Sequence, residues 1–296
     1  MITHYYKVAE HIFKINLPED EKGIRLSSYE PFRLKTGKID RQVLFSLTLD
    51  DTFRPLMKGE QIGAFDCGAA DFGVFRLTDG TYQILISPPG GYHCGLLQTS
   101  PDFSTAIIAT RGNDELRIFA INNALMLTYA FASANKNTML VHASVIKYNN
   151  KGYLFLGKSG TGKSTHSDLW QQHIAGSELL NDDNPVVRIH EDGAVVYGSP
   201  WSGKTPCYKN DCAPIGAFIQ IQQKPENHIK REKPLQAFAT LLPSISTMKW
   251  DKHIYTHTCD SVGKLLKAIP FHTLGCRPDK EAAEVCHREV TQHDHR

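Results

Sequence analysis

The sequence predicts an α/β chain, α+β overall, with a β-rich N-terminal part and an α/β C-terminal part built around one glycine-rich loop. Three observations predict it. Apolar residues alternate with a strand period at several places before residue 112. The period changes to helical spacing from Asp114. Further on, a short apolar run leads straight into Gly157 to Ser164 (GKSGTGKS), and helix-forming residues follow. These changes divide the chain into a β-rich domain at 1–112, a connecting helix at 113–138 and a C-terminal domain at 139–296.

The elements follow in order. Val43, Phe45, Leu47 and Leu49 alternate with less apolar neighbours, the pattern of a half-buried strand. Residues 81–87 form a second strand, stopped by Pro88-Pro89-Gly90-Gly91, and 105–110 a third. Ile118, Ile121, Leu125, Tyr129 and Ala132 share one helical face, and Asp114 and Glu115 suit the positive N-terminal end of that helix. Residues 140–146 read as a strand, Asn149-Asn150 as a hairpin turn, and 153–156 as a second strand that enters the loop. A helix is expected over 165–174, strands at 186–189, 194–197 and 217–221, and helices near 234–242 and 259–268.

Bulk properties narrow the function classes. The 296 residues are 41% hydrophobic and 22% charged, an ordinary globular balance, with a net charge of +2 that gives no basic footprint for nucleic acid. No run approaches the roughly 18 apolar residues of a membrane span. The first twenty residues carry charges throughout, so no secretory segment is expected and the cytoplasm is the expected location. Seven cysteines stand singly, without a C-x-x-C pair; Cys207 and Cys212 are read as idle thiols rather than metal ligands.

Gly157-Lys158-Ser159-Gly160-Thr161-Gly162-Lys163-Ser164 matches G-x-x-x-x-G-K-[ST] in full. The glycines let successive backbone N–H groups turn inward on phosphate oxygens, and the helix beginning near Thr165 adds its positive end. Lys163 brings a cation to the terminal phosphates, and the Ser164 hydroxyl suits magnesium. The expected ligands are therefore ATP or another nucleoside triphosphate, with Mg²⁺. Asp182 and Asp183 follow an apolar lead at 179–180, and two adjacent carboxylates can divide metal binding from proton acceptance. His142 precedes the loop by 15 residues, on a strand the Asn149-Asn150 turn would pair with the strand entering it. Trp201 is expected to be a half-buried loop residue, while Lys204 and Arg277 are the two further cations considered for substrate or phosphate.

Taken together, Leu140 to Val145 (LVHASV), GKSGTGKST and LLNDDN resemble the ordered motifs of the HPr kinase/phosphorylase and phosphoenolpyruvate carboxykinase superfamily. The likeness covers residues 139–200 well and the rest of the C-terminal half loosely. It implies a P-loop domain of that type behind the β-rich N-terminal domain. By the same resemblance Asp182 would be the general base, Asp183 would hold magnesium, and His142 would assist as a metal ligand or as partner to the base. Gly-Ser-Pro-Trp-Ser-Gly-Lys at 198–204 stands where HPr kinases carry a different segment, and the upstream carboxykinase lysine has no counterpart, so phosphoenolpyruvate carboxykinase activity is not implied. What is implied is a phosphotransferase acting on a protein serine or a small-molecule hydroxyl, and a homo-oligomer. A non-catalytic nucleotide sensor is the alternative from another class.

Overall fold

In the computed structural model the described residues are 1–21, 23–35, 42–55, 59–66, 70–203 and 205–292; Lys204 lies outside them. The chain is mixed α/β, with two large sheets, and divides into two compact units: Met1–Ser133 with Met248–Lys252, and Ala134–Thr247 with His253–Arg296.

The first unit contains β1 (Ile2–Val8), β2 (His11–Leu17), β3 (Ser46–Leu49), β4 (Glu60–Asp66), β5 (Asp71–Arg76), β6 (Tyr82–Ser87), β7 (Gly95–Thr99) and β8 (Thr105–Thr110), followed by α1 (Asp114–Ser133). The sheet order is β1-β2-β3-β8-β7-β6-β5-β4, and the β2–β3 and β3–β8 pairs are parallel. The β1–β2 hairpin went unread in the sequence for a physical reason. Its two-residue turn places Ala9 and Glu10 at φ 44° and 65°, without the glycine or asparagine that normally marks such a turn. The Asn113 side chain accepts the Leu116 N–H at the start of α1, and Arg117 pairs with Glu21 and with Asp51 at 2.7 Å. The helix packs on β6, β7 and β8 and belongs to this first unit.

The second unit carries β9 (Thr138–Leu140), β10 (Ala143–Tyr148), β11 (Lys151–Leu156), α2 (Lys163–His173), β12 (Glu178–Asp183), β13 (Val186–His190), β14 (Gly193–Tyr197), β15 (Cys212–Gln223), β16 (His228–Arg231), α3 (Pro234–Leu241), α4 (Lys252–Ala268), β17 (Phe271–Cys276) and α5 (Lys280–Thr291). The sheet path is β12-β10-β11-β15-β14-β13-β9, with β17 beside β15 and β16 beside β17. β11, β15 and β17 run parallel. Side chains alternate across β11: Leu154 and Leu156 enter one core with Ala237, Leu241, Val262 and Leu265 of α3 and α4, while Tyr153 and Phe155 enter the other with Trp170, Ala283 and Cys286 of α2 and α5. Helices thus cover both faces, which is why β11 reads as a continuous apolar run.

The strand expected over 140–146 is two strands. β9 pairs with β13 and β10 with β11 and β12, and the chain changes partner at Val141 and His142. There the Val141 N–H bonds the Pro185 carbonyl and the His142 N–H bonds the Ser244 carbonyl. Hydrophobic alternation carries no sign of such a change, because Leu140, Val141, Ala143 and Val145 are all fully buried.

Candidate functional site

β10 and β11 form the hairpin that fixes the site. Asn149 and Asn150 turn it at φ 47° and 58°, and the register sets Ala143 opposite Leu156. His142 therefore stands at the same end of the sheet as Gly157. On its other side β10 pairs with β12, which sets Ala143 opposite Asp183 and Ser144 opposite Asp182. The three sequence elements meet there because one strand is shared between their two partners.

The glycine loop links β11 to α2, and the helix starts at Lys163, two residues before the expected Thr165. Gly160 and Gly162 have φ of 82° and 102°, and a Cβ at either would meet open space. Left-handed backbone facing unfilled space suits amides that are to receive a ligand. The Lys158 carbonyl accepts the Thr161 N–H at 3.1 Å and its hydroxyl at 2.8 Å, which closes the turn. Lys158, Ser159 and Thr165 are exposed on the loop and first helical turn. The N-cap of α2 is Gly162, which has no side chain to bond the amides of the first turn.

Lys163 is a buried cation. It is 8% exposed, and its Nζ donates to His142 Nε2 at 2.9 Å and to the Gly157 carbonyl at 3.0 Å. Burial lowers its pKa below the usual lysine value, against the pull of Asp183 and Asp182. Across the same ring, His142 Nδ1 lies 3.0 Å from Asp183 Oδ1.

The two aspartates have different neighbours, as adjacent strand residues must. Asp182 is buried and accepts the Ser164 hydroxyl at 3.0 and 3.1 Å on its two oxygens. Asp183 faces His142 and also accepts an N–H from Asn184 at 2.7 Å. Its φ of 127° is a backbone conformation that non-glycine residues rarely adopt. The segment after β14 wraps the strand end: Ser199 Oγ donates to the Asn184 carbonyl, Asn181 Nδ2 donates to Ser199 Oγ, and the Gly203 N–H bonds the Asp182 carbonyl. Trp201, expected as a half-buried loop residue, is 2% exposed and is part of this packing. Cys207 is buried against the Leu180 carbonyl, and Cys212 is exposed.

Beside the loop lies a cavity of ≈ 610 Å³. Gly160, Gly162 and Thr165 border it on one side, Leu169 and Ile221 supply an apolar floor, and Arg277 stands at its wall. Arg277 is already paired, with Asp279 at 3.0 Å and Glu281 at 3.3 Å. Sequence reading missed Leu169 and Ile221. Leu169 sits one helical turn beyond Thr165, a spacing already contained in the helix expected over 165–174. Deeper in α2, His166 accepts the Trp170 indole N–H at 3.1 Å, and burial lowers its pKa to about 4.

The residues fit magnesium triphosphate on structural grounds. Open left-handed glycines, a buried cation and a serine hydroxyl against a carboxylate are the donor types such a ligand needs. Among the described residues no three His, Cys, Asp or Glu side chains gather as a metal site of their own. Among the described residues no helix is long and apolar enough to cross a membrane.

No protein-family model matches the chain, and no curated protein sequence matches it. Among solved structures, the HPr(Ser) kinase/phosphatase from Coxiella burnetii aligns with 52% of this chain and 90% of its own, at 12% identity and a TM-score of 0.32.

Proposed function

We propose that the chain transfers the terminal phosphoryl group of a nucleoside triphosphate, with ATP the first candidate, to a hydroxyl on a protein serine or a small molecule. The observation that carries this reading is the contact chain Lys163–His142–Asp183 at the mouth of the glycine loop, with Ser164–Asp182 beside it. A loop that only binds phosphate has no need of an imidazole and a second carboxylate at its catalytic lysine. On this proposal residues 139–296 are a nucleotide-binding domain of the HPr kinase and carboxykinase type.

The loop amides and Lys163 hold the phosphate oxygens, and the cavity floored by Leu169 and Ile221 receives the nucleoside. Magnesium on Ser164 would screen the phosphate charge that an incoming hydroxyl must approach. The contacts favour exchanging the two aspartate roles implied by resemblance. Asp182 shares the Ser164 hydroxyl and so belongs to the metal side, whereas Asp183 addresses His142 and so belongs to the acceptor side. The acceptor oxygen forms its bond to the γ-phosphorus, the bond to the β-phosphate bridging oxygen breaks, and the nucleoside diphosphate leaves with that electron pair.

The test is incubation with γ-labelled ATP and Mg²⁺ against panels of hydroxyl metabolites and proteins. The reading expects an acid-stable phosphoester on one acceptor, absent with Asp182→Asn. Full labelling by Asp182→Asn would remove Asp182 from the mechanism. Saturable ATP binding without any transfer across the panels would favour the sensor reading.

A further inference from the structure

The Lys163–His142–Asp183 contacts carry an inference that rests on the phosphotransfer reading and deepens it. An ammonium can only donate, so the 2.9 Å contact from Lys163 makes His142 Nε2 an acceptor. The ring proton is then on Nδ1, where Asp183 Oδ1 accepts it at 3.0 Å. A carboxylate thus fixes the tautomer and aim of an imidazole whose other nitrogen presents a lone pair toward the phosphate lysine. This is the arrangement of an oriented proton acceptor, with one addition: the lone pair is covered by Lys163.

Phosphate oxygens compete for that ammonium. Two neutral acceptors hold Lys163, a ring nitrogen and the Gly157 carbonyl, and charged phosphate oxygens aligned by the loop amides outbid them. We propose that His142 accepts the acceptor's hydroxyl proton, with Asp183 as its positioning residue, and that Lys163 covers Nε2 until a bound triphosphate draws it away. The proton passes from the acceptor oxygen to Nε2 as that oxygen bonds to the γ-phosphorus, and Nδ1–H remains on Asp183. The backbone of Asp183, at φ 127°, is bridged to Ser202, and its carboxylate is held by His142 and Asn184, which suits a positioning residue. The device imposes an order: donor first, then a competent base.

The full chain labelled with ¹⁵N-histidine tests this by two-bond ¹H–¹⁵N spectra, with His142 assigned by loss of its signals in His142→Gln. The expected free-protein pattern is the Nδ1–H tautomer with Nε2 displaced by a donated hydrogen bond. Lys163→Met should move Nε2 to the position of a bare imidazole nitrogen. Magnesium with a non-hydrolysable ATP analogue should do the same to the wild type, and Asp183→Asn should disturb the tautomer. In parallel, His142→Gln should lower ATP turnover, with water or the identified acceptor, by about 100-fold or more at unchanged KM. Calorimetric binding of the analogue with an unmoved Nε2 signal overturns the inference and leaves the phosphotransfer reading standing. Absence of analogue binding overturns both.

Discussion

Replacing Lys163 with methionine should weaken triphosphate binding and stabilise the protein at once, two effects that a merely structural lysine would not combine. A charge-assisted hydrogen bond to phosphate is worth about 1.5–3 kcal/mol, and each 1.4 kcal/mol is a factor of about ten in affinity. Binding also requires Lys163 to give up His142 Nε2 and the Gly157 carbonyl, which returns part of that gain. The net loss on Lys163→Met is then about 10- to 100-fold in the dissociation constant of Mg·ATP, read by titration calorimetry. The stability effect has a defined pH dependence. Burial sets the folded pKa of Lys163 below 10.5, so the unfolded chain binds this proton more tightly than the folded one. Wild-type stability therefore gains a rising contribution as pH climbs from the lowered folded value toward 10.5, and the variant lacks it. Urea unfolding of both proteins across the alkaline range gives the comparison. Unchanged Mg·ATP affinity in Lys163→Met, at a preserved fold, would refute the assignment of the loop.

Two further substitutions probe the frame that holds the loop and the aspartates. His166 has a folded pKa of about 4 against 6.5 unfolded because it is buried, so stability is lost as pH falls through that window, by about 3 kcal/mol in all. His166→Gln keeps an acceptor for Trp170 and should show a shallower fall between pH 7.5 and 4.5 in urea midpoints; an identical fall would place the acid sensitivity elsewhere. Gly198→Ala would set a Cβ 2.0 Å from the backbone carbonyl oxygen of Lys209, which cannot move as a side chain can. It should displace the 199–203 segment behind the aspartates and cost several kcal/mol on the scale of severe overpacking, together with loss of Mg·ATP binding; a wild-type Tm would contradict that packing.

The loop was legible because its chemistry requires fixed residue types at fixed spacing, whatever the fold around it. His142 was legible for a weaker reason, the Asn149-Asn150 turn, which implies a hairpin and hence a register. What each aspartate touches was not legible. Adjacent residues on a strand face opposite ways, but which one meets Ser164 depends on how β12 lies against β10, a long-range pairing with a shift between Val145 and Ile146. The apolar cavity residues were hidden similarly, since Leu169 and Ile221 come from α2 and from β15, whereas Arg277, the residue following β17, was already a candidate as a cation. Trp201 shows the limit of reasoning from flanking residues: glycine, serine and proline around it suggest a wet loop, yet Ser199 and Asn181 satisfy that loop's polar groups and the ring is buried. The β1–β2 hairpin and α5 lay outside the reading altogether, the first for want of a turn signal at Ala9 and Glu10.

Hydrogen–deuterium exchange with and without saturating Mg·ATP tests the central claim most directly, because it locates the ligand on the chain. The account predicts slowed exchange at the amides of residues 157–165 and at the cavity wall near Ile221 and Arg277, with about 10- to 100-fold more Mg·ATP needed for the same loop protection in Lys163→Met. Unchanged exchange across 157–165, or protection confined to other segments of the second unit, would contradict it.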